Sequence, residues 1–182
     1  MISNVHCRRL PVRACDVRRA LDALGTPADQ IWPSDRWPAL RLSDGLRPGS
    51  RGGHGPIRYV VEEVSDQAIV FRFERPVLHG THRFEVQPDG LACVVRHVLE
   101  ARPALGSRIA WMLATRWLHD ALLQDLLDNL TREVGGQVRR PARWSGYVRL
   151  LRRRYTSRSR AVRRRDQPAI LAPEPAEVLA AA

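Results

Sequence analysis

The sequence has no lysine, no long apolar run and only three cysteines. All 30 residues counted as lysine or arginine are arginine. A GC-rich coding sequence produces this bias without selection for binding, so the number of arginines does not by itself indicate a nucleic-acid partner. Runs of about eighteen apolar residues do not occur, so we expect no membrane-spanning helix. Residues 1–11 lack the apolar core that a signal peptide needs, and we therefore expect a cytoplasmic protein.

Neither the cysteines nor the histidines show the spacing of metal ligands. Cys7, Cys15 and Cys93 lie far apart, and two of them fall in strand-like runs, which predicts reduced and buried thiols. His79 and His82 are three residues apart where a turn meets a strand, so their rings need not point the same way. We therefore predict no metal site and no cofactor.

The net charge of +11 is unevenly distributed along the 182 residues. Residues 1–136 contain 18 arginines and 16 acidic residues, and are nearly neutral. Residues 137–165 contain 12 arginines and no acidic residue, whereas residues 166–182 contain three acidic residues. This pattern predicts one folded domain (1–136), an arginine-rich extension (137–165) and a disordered tail (166–182).

Apolar periodicity and turn signals predict an α+β domain. A strand at residues 4–10 precedes a helix at 14–24, and the Pro- and Trp-rich stretch 26–38 has room for a second short helix. The strands that follow are joined by short turns, which predicts antiparallel pairing. They cover residues 40–42, part of the Gly-rich stretch 45–55, and residues 57–64, 68–74, 81–86 and 91–101.

The strands alternate between an apolar and a charged face. A sheet with this alternation packs one face against the core and exposes the other face to water. The apolar face contains Tyr59, Val61, Ile69, Phe71, Phe73, His82, Phe84, Val86, Leu91, Cys93, Val95, His97 and Leu99. The charged face contains Arg58, Glu62, Arg72, Glu74, Arg83, Glu85, Arg96 and Glu100, which predicts cross-strand ion pairs.

A long helix is predicted at residues 105–134, because its apolar residues repeat with the helical period. Arg116 and Asp120 lie near the middle of the same face, one turn apart. The helix is the only element long enough to cover the apolar face of the sheet. One apolar stripe contains Ile109, Met112, Leu113, Leu123, Leu127, Leu130 and Val134, and a second contains Trp111, Leu118, Leu122 and Leu126.

Between sheet and helix we predict a cavity, with polar groups pointing inward. His82 and His97 from the sheet, with the Arg116–Asp120 pair from the helix, either satisfy one another or orient the polar group of a ligand. These four are also the candidate catalytic residues, whereas adjacent His119 and Asp120 point about 100° apart and form no direct dyad. The candidate ligand-binding residues are Tyr59, Phe71, Phe73, His82, Phe84, Val95, His97, Ile109, Met112, Leu113, Arg116, Asp120 and Leu123.

Four short segments, together with the order of elements, resemble bacterial SRPBCC proteins. The segments are GGHGPIRY (52–59), GTHRFE (80–85), RHVLE (96–100) and LHDAL (118–122). This START-related, polyketide cyclase-like superfamily has the helix-grip fold, and the resemblance covers roughly residues 3–134. It implies a curved seven-stranded antiparallel sheet wrapped on a long C-terminal helix, two short helices after the first strand, and a cavity under the long helix.

Three functions are open at this point. The first is binding or transport of a small hydrophobic ligand, lipid or polyketide-like, in the cavity. The second is a cyclase- or dehydratase-like enzyme that uses the inward histidines and the Arg–Asp pair. The third depends on residues 137–165, where Trp144, Val148, Leu151 and Tyr155 predict a basic amphipathic helix that contacts an anionic membrane or nucleic acid, if it is not simply solvated.

Overall fold

A computed structural model describes residues 1–74, 78–104 and 107–154 of the chain. Its elements follow in the order that the sequence predicts, except for one predicted short helix, and the last of them is a helix, α4, at residues 146–154. In chain order the other elements are β1 (Ile2–Leu10), α1 (Ala14–Asp22), β2 (Arg41–Leu42), β3 (Arg51–His54), β4 (Ile57–Val64), β5 (Ala68–Phe73), β6 (Leu78–Asp89), β7 (Ala92–Pro103), α2 (Ser107–Ala110), a π-helical turn (Trp111–Thr115) and α3 (Arg116–Glu133).

The seven strands form one antiparallel sheet in the order β1-β7-β6-β5-β4-β3-β2. A register shift between Val61 and Glu63 marks a bulge in β4, and bulges increase the bend and twist of a strand. Gly80 adopts φ +151° in β6, where a Cβ would lie 2.1 Å from the backbone oxygen of Glu100. The α+β helix-grip architecture is therefore confirmed.

The predicted faces of the sheet are confirmed at nearly every position. The inward side chains from Tyr59 to Leu99 form the core, and ion pairs such as Arg83–Glu100 and Arg96–Glu85 cross the outer face. Leu91 is the exception: it is 90% exposed because it lies in the turn between β6 and β7. Of the cysteines only Cys93 is buried, so the prediction of buried thiols is wrong for Cys7 and Cys15.

The segment between α1 and β2 forms turns, and the predicted second short helix does not occur there. The carboxylate of Asp29 accepts hydrogen bonds from the backbone N–H groups of Gly25, Ile31 and Trp32. Such side-chain bonds compete with helical backbone bonds. Trp32 and Trp37 are thereby buried against the domain.

The long helix is interrupted by the π turn at Trp111–Thr115. A π turn holds one extra residue, which rotates the preceding residues by about 100° relative to the helix that follows. Ile109 and Leu113, which belong to the stripe predicted to face the sheet, are consequently exposed, while Trp111 is buried. The described residues contain no helix that is both long and apolar enough to cross a bilayer.

Residues 137–154 pack along the outer side of α3. The buried Asp125 carboxylate accepts hydrogen bonds from the indole N–H groups of Trp37 and Trp144, both at 2.9 Å. Asp128, also buried, accepts the backbone N–H of Ala142. α4 lies where the sequence predicts a helix and buries Val148. The predicted disordered tail (166–182), and residues 155–165, lie outside the described residues.

Candidate functional site

A cavity of about 270 Å³ lies between the sheet and the long helix. Its walls come from the turn segment after α1, the β3–β4 hairpin, strands β5 to β7, the π turn and α3. Apolar side chains dominate the lining, and four histidines interrupt it. The lining residues are Trp32, Trp37, Pro38, His54, Pro56, Ile57, Phe73, Leu78, His82, Phe84, His97, Leu99, Ala114, Thr115, Leu118, His119, Leu122, Leu123 and Leu126.

The candidate ligand-binding residues of the sheet lie at the cavity or directly behind it. Phe73, His82, Phe84, His97 and, from the helix, Leu123 line the cavity. Three others are buried in the layer behind the lining: Tyr59, Phe71 and Val95. The rings of Tyr59 and Phe71 lie 4.9 and 4.8 Å from the ring of His82, so these two residues support a cavity residue.

The candidates from the first half of the long helix do not line the cavity. Ile109, Met112 and Leu113 are 62%, 55% and 58% exposed, because the π turn rotates them outward. The side chain of Arg116 is 60% exposed and lies 3.7 Å from the carboxylate of Asp120. The predicted inward Arg116–Asp120 pair is therefore a pair at the protein surface.

His82 and His97 form the polar centre of the cavity wall. His82 Nδ1 lies 3.3 Å from His97 Nε2, within hydrogen-bond distance. Burial, followed by the electrostatic influence of His119, lowers the pKa of both imidazoles well below the usual value. Burial likewise lowers the pKa of His54 to about 4. At neutral pH all three imidazoles are therefore uncharged.

The hydrogen bond between the two neutral rings determines what they offer to a ligand. Each neutral imidazole has one N–H donor and one acceptor nitrogen. If His82 donates, its Nε2 is an acceptor and His97 Nδ1 carries a hydrogen, and if His97 donates, the two roles are exchanged. His82 Nε2 and His97 Nδ1 are both buried without a partner. The pair therefore always has one free donor and one free acceptor.

Asp120 lies beside the histidines and is held by β1. Its Oδ1 accepts the side-chain amide of Asn4 at 2.8 Å and lies 3.1 Å from His6 Nε2. Burial alone would raise the pKa of Asp120, but the electrostatic influence of nearby His119 and the hydrogen bonds from His6 and Asn4 outweigh burial and keep the pKa well below the usual range. The close partner of Asp120 is thus His6, while His119 Nδ1 lies 4.0 Å away.

His6, His119 and Asp120 also have the mutual spacing of metal ligands, with their ligand atoms within 4.8 Å of one another. The hydrogen bonds from Arg8 through Gln124 to His6 show, however, that His6 acts as a hydrogen-bond donor to Asp120. An arginine can only donate, so Gln124 Oε1 accepts from Arg8, and Gln124 Nε2 donates to His6 Nδ1. His6 Nε2 therefore carries its hydrogen and donates to Asp120 instead of offering a lone pair to a cation.

Several cavity residues were not candidates in the sequence analysis. His54 and the two tryptophans of the turn segment, Trp32 and Trp37, lie in stretches without helical or strand period. The ring of His54 packs 4.9 Å from that of Trp32. The available signal was composition: a histidine between glycines and two Trp-Pro dipeptides are unusual in a solvent-exposed loop. His119, which lies one residue from the predicted Asp120, points to the cavity instead.

No protein-family model matches the chain, and no curated protein matches its sequence. Solved structures do match its fold. Norcoclaurine synthase from Thalictrum flavum is 14% identical, with a TM-score of 0.56 over 75% of this chain and 96% of that chain. CalU16 from Micromonospora echinospora is 13% identical, with a TM-score of 0.54 over 88% of this chain and 87% of that chain. XoxI from Bacillus cereus is 14% identical, with a TM-score of 0.53 over 72% of this chain and 94% of that chain.

These similarities define the class of fold. At 12–16% identity they establish a common architecture and no common activity. The architecture is the antiparallel sheet around a long C-terminal helix, with the cavity between them. The helix-grip fold that the resemblance in the sequence implies is thereby confirmed.

Proposed function

We propose that the protein binds a small, uncharged, ring-containing molecule in the cavity between the sheet and the long helix. The observation that carries the proposal is the composition of the wall, in which aromatic and aliphatic side chains surround a neutral His82–His97 pair. Ligand sites typically combine an apolar lining with a few polar groups that fix orientation. A ligand with a hydroxyl or carbonyl group would satisfy one free nitrogen of the pair after a small rotation of either ring.

The cavity volume restricts the size of the ligand. A cavity of about 150 Å³ accommodates a benzene molecule. A volume of about 270 Å³ therefore suits one or two rings better than a long acyl chain. Norcoclaurine synthase has been crystallised with dopamine and hydroxybenzaldehyde, each of which has a single aromatic ring. A charged ligand is disfavoured because the described residues of the wall include no ionised group to pair with it.

Filling the cavity should abolish binding. Ala114 lines the cavity, so Ala114→Trp places an indole in the ligand volume. We expect the affinity for a neutral naphthol probe to fall at least tenfold, measured by fluorescence titration. Ala110→Trp is the matched control, because Ala110 is exposed on the same helical segment. Equal probe binding by both variants would contradict the proposal.

A second candidate function is acid–base catalysis of the cyclase or dehydratase kind, and the paired histidines favour it. One free nitrogen removes a proton from carbon next to a carbonyl group, and the free N–H of the partner protonates the carbonyl oxygen. The shared hydrogen crosses the 3.3 Å contact in the same step. The pair ends in its other tautomer and stays neutral, so a single pair serves as both acid and base.

The catalytic alternative has a direct test. We expect the protein to speed exchange of the α-hydrogens of 1-phenyl-2-propanone in D₂O, followed by proton NMR. His97→Gln and His82→Gln should each reduce this exchange at least a hundredfold, because either change breaks the tautomeric pair. His79→Gln, which replaces an exposed histidine of β6, is the control. Exchange at the uncatalysed rate with the unaltered protein would leave binding as the function.

A further inference from the structure

We propose that the outer side of the π turn, together with α4, is a docking surface for an anionic lipid bilayer. Six large apolar side chains are between 43% and 62% exposed here. Among the described residues, the other exposed large hydrophobics are only Met1, Val5 and Leu91, which lie elsewhere. The six residues, called the apolar patch below, are Ile109, Met112, Leu113, Trp117, Tyr147 and Leu150.

The two parts of the apolar patch are joined by direct contacts. The ring of Trp117 meets the ring of Tyr147 edge-on, with 5.9 Å between centroids. The Tyr147 hydroxyl donates a hydrogen bond to the backbone oxygen of Leu113. The patch is thus one continuous surface, and exposed apolar surfaces of this kind mark interaction sites.

Arginine is the only charged residue type in the two segments that carry the apolar patch, and the adjacent Asp120 is paired with Arg116. The segments 104–119 and 134–154 contain no acidic residue. Arg108 and Arg116 flank the patch on the long helix, and both are exposed. Exposed Arg154 follows Tyr147 and Leu150 at helical spacing on α4. An apolar surface with arginines at its rim and a tryptophan and a tyrosine within it is complementary to anionic headgroups above an acyl layer.

Other occupants fit this surface less well. A nucleic acid would pair with the arginines but would leave Ile109, Met112 and Leu113 without an apolar environment. A second copy of the chain would bring two sets of arginines together. A bilayer gives the apolar side chains acyl chains to enter and gives the arginines phosphate groups to contact.

The apolar patch and the cavity share a wall. Ala114, Thr115 and Leu118 line the cavity, while their neighbours Leu113 and Trp117 belong to the patch. A docked bilayer would therefore be separated from the ligand volume only by this helical segment. Membrane docking does not depend on the proposed ligand, since it is carried by the outer surface alone.

Sedimentation of the full chain with vesicles tests the proposal. We expect binding to phosphatidylcholine vesicles that contain phosphatidylglycerol, and little binding to phosphatidylcholine alone. The double substitution M112S/L113S should lower the partition coefficient at least tenfold, because it removes two exposed apolar side chains. Leu91→Ser is the matched control, since Leu91 is 90% exposed in the β6–β7 turn. Thermal unfolding should confirm that both variants fold like the unaltered chain.

A fluorescence measurement locates the contact. Brominated lipids should quench the tryptophan emission of the unaltered chain more strongly than that of Trp117→Phe. Unchanged vesicle binding by M112S/L113S would overturn the proposal in favour of simple attraction by the arginine-rich chain. Three other results would also overturn it: a dimer that M112S/L113S dissociates, oligonucleotide binding without vesicle binding, or vesicle binding that appears only after residues 155–182 are removed.

Discussion

Acidification from pH 7 to pH 4.5 is expected to unfold the protein, with net uptake of about three to four protons. The cause is the group of cavity histidines His54, His82, His97 and His119, whose pKa values are all lowered, chiefly by burial. In the unfolded chain a histidine titrates near pH 6.5. Between that pH and its lowered pKa in the fold, each of them binds a proton only when the chain unfolds.

The sign of the effect follows from this difference. Because the unfolded state binds more protons, the free energy of unfolding decreases as the pH falls below about 6.5. Each histidine that stays neutral in the fold contributes a slope of up to about 1.4 kcal/mol per pH unit. The pKa of Asp120 is also lowered, but an aspartate loses its stabilising charge only at pH values below about 4. The change in the free energy of unfolding between pH 6.5 and pH 4.5 therefore reflects the protonation of the histidines.

Urea unfolding measured at several pH values gives the number of protons. His97→Gln should reduce the slope by about one proton, whereas His79→Gln should not change it, because His79 is exposed on β6. A free energy of unfolding that is level from pH 6.5 to pH 4.5 would show that the imidazoles are already charged in the fold. In that case the neutral His82–His97 pair, and the catalytic alternative that depends on it, would both be wrong.

The second large effect is expected from Asp125→Ala, which should lower the free energy of unfolding by about 2–4 kcal/mol. Asp125 is only 4% exposed, and its carboxylate binds the indole N–H groups of Trp37 and Trp144 as well as Arg36. Its removal leaves the buried indole N–H of Trp37 and the half-buried indole N–H of Trp144 without an acceptor. Since Trp37 also lines the cavity, probe affinity should fall in the same variant.

Two comparisons make the Asp125 result specific. Glu133→Ala removes an exposed carboxylate from the same helix and should change stability by less than about 0.5 kcal/mol. Asp125→Asn retains one acceptor oxygen and should lose less stability than Asp125→Ala. If Asp125→Ala were as stable as the unaltered chain, the extension would not be anchored at this carboxylate. Far-ultraviolet circular dichroism should show that helix and sheet content remain in all three variants.

The sheet could be predicted from the sequence because the patterns that specify it, the alternation within each strand and the short turns between strands, involve residues close together in the chain. Period-two alternation placed Phe71, Phe84 and Val95 inside and Arg72, Glu85 and Arg96 outside, and the structure confirms these positions. Hairpin turns limit neighbouring strands to antiparallel pairing. His82 and His97 were found for the same reason, as polar residues on an otherwise apolar face.

The helix side of the site could not be predicted in the same way. An ideal helical period continues the stripe from Leu123 back to Met112, and no residue type announces the π turn that breaks it. The buried acids of the helix are Asp125 and Asp128 instead of the predicted Asp120, because residues far along the chain cover that side. The partnership of Asp120 with His6 joins positions 114 residues apart, which local spacing does not encode.

The single extra residue of the π turn has two effects at once. With regular α-helical winding, Met112 would lie on the same face as Leu123, point at the sheet and take up volume that now belongs to the cavity. The irregular winding thus moves Met112 from the inside of the protein to its outside. Deleting one residue from this turn should therefore give a protein with a smaller cavity and a less apolar surface. The volume for a ligand and the exposed apolar patch both originate in one local irregularity of the backbone.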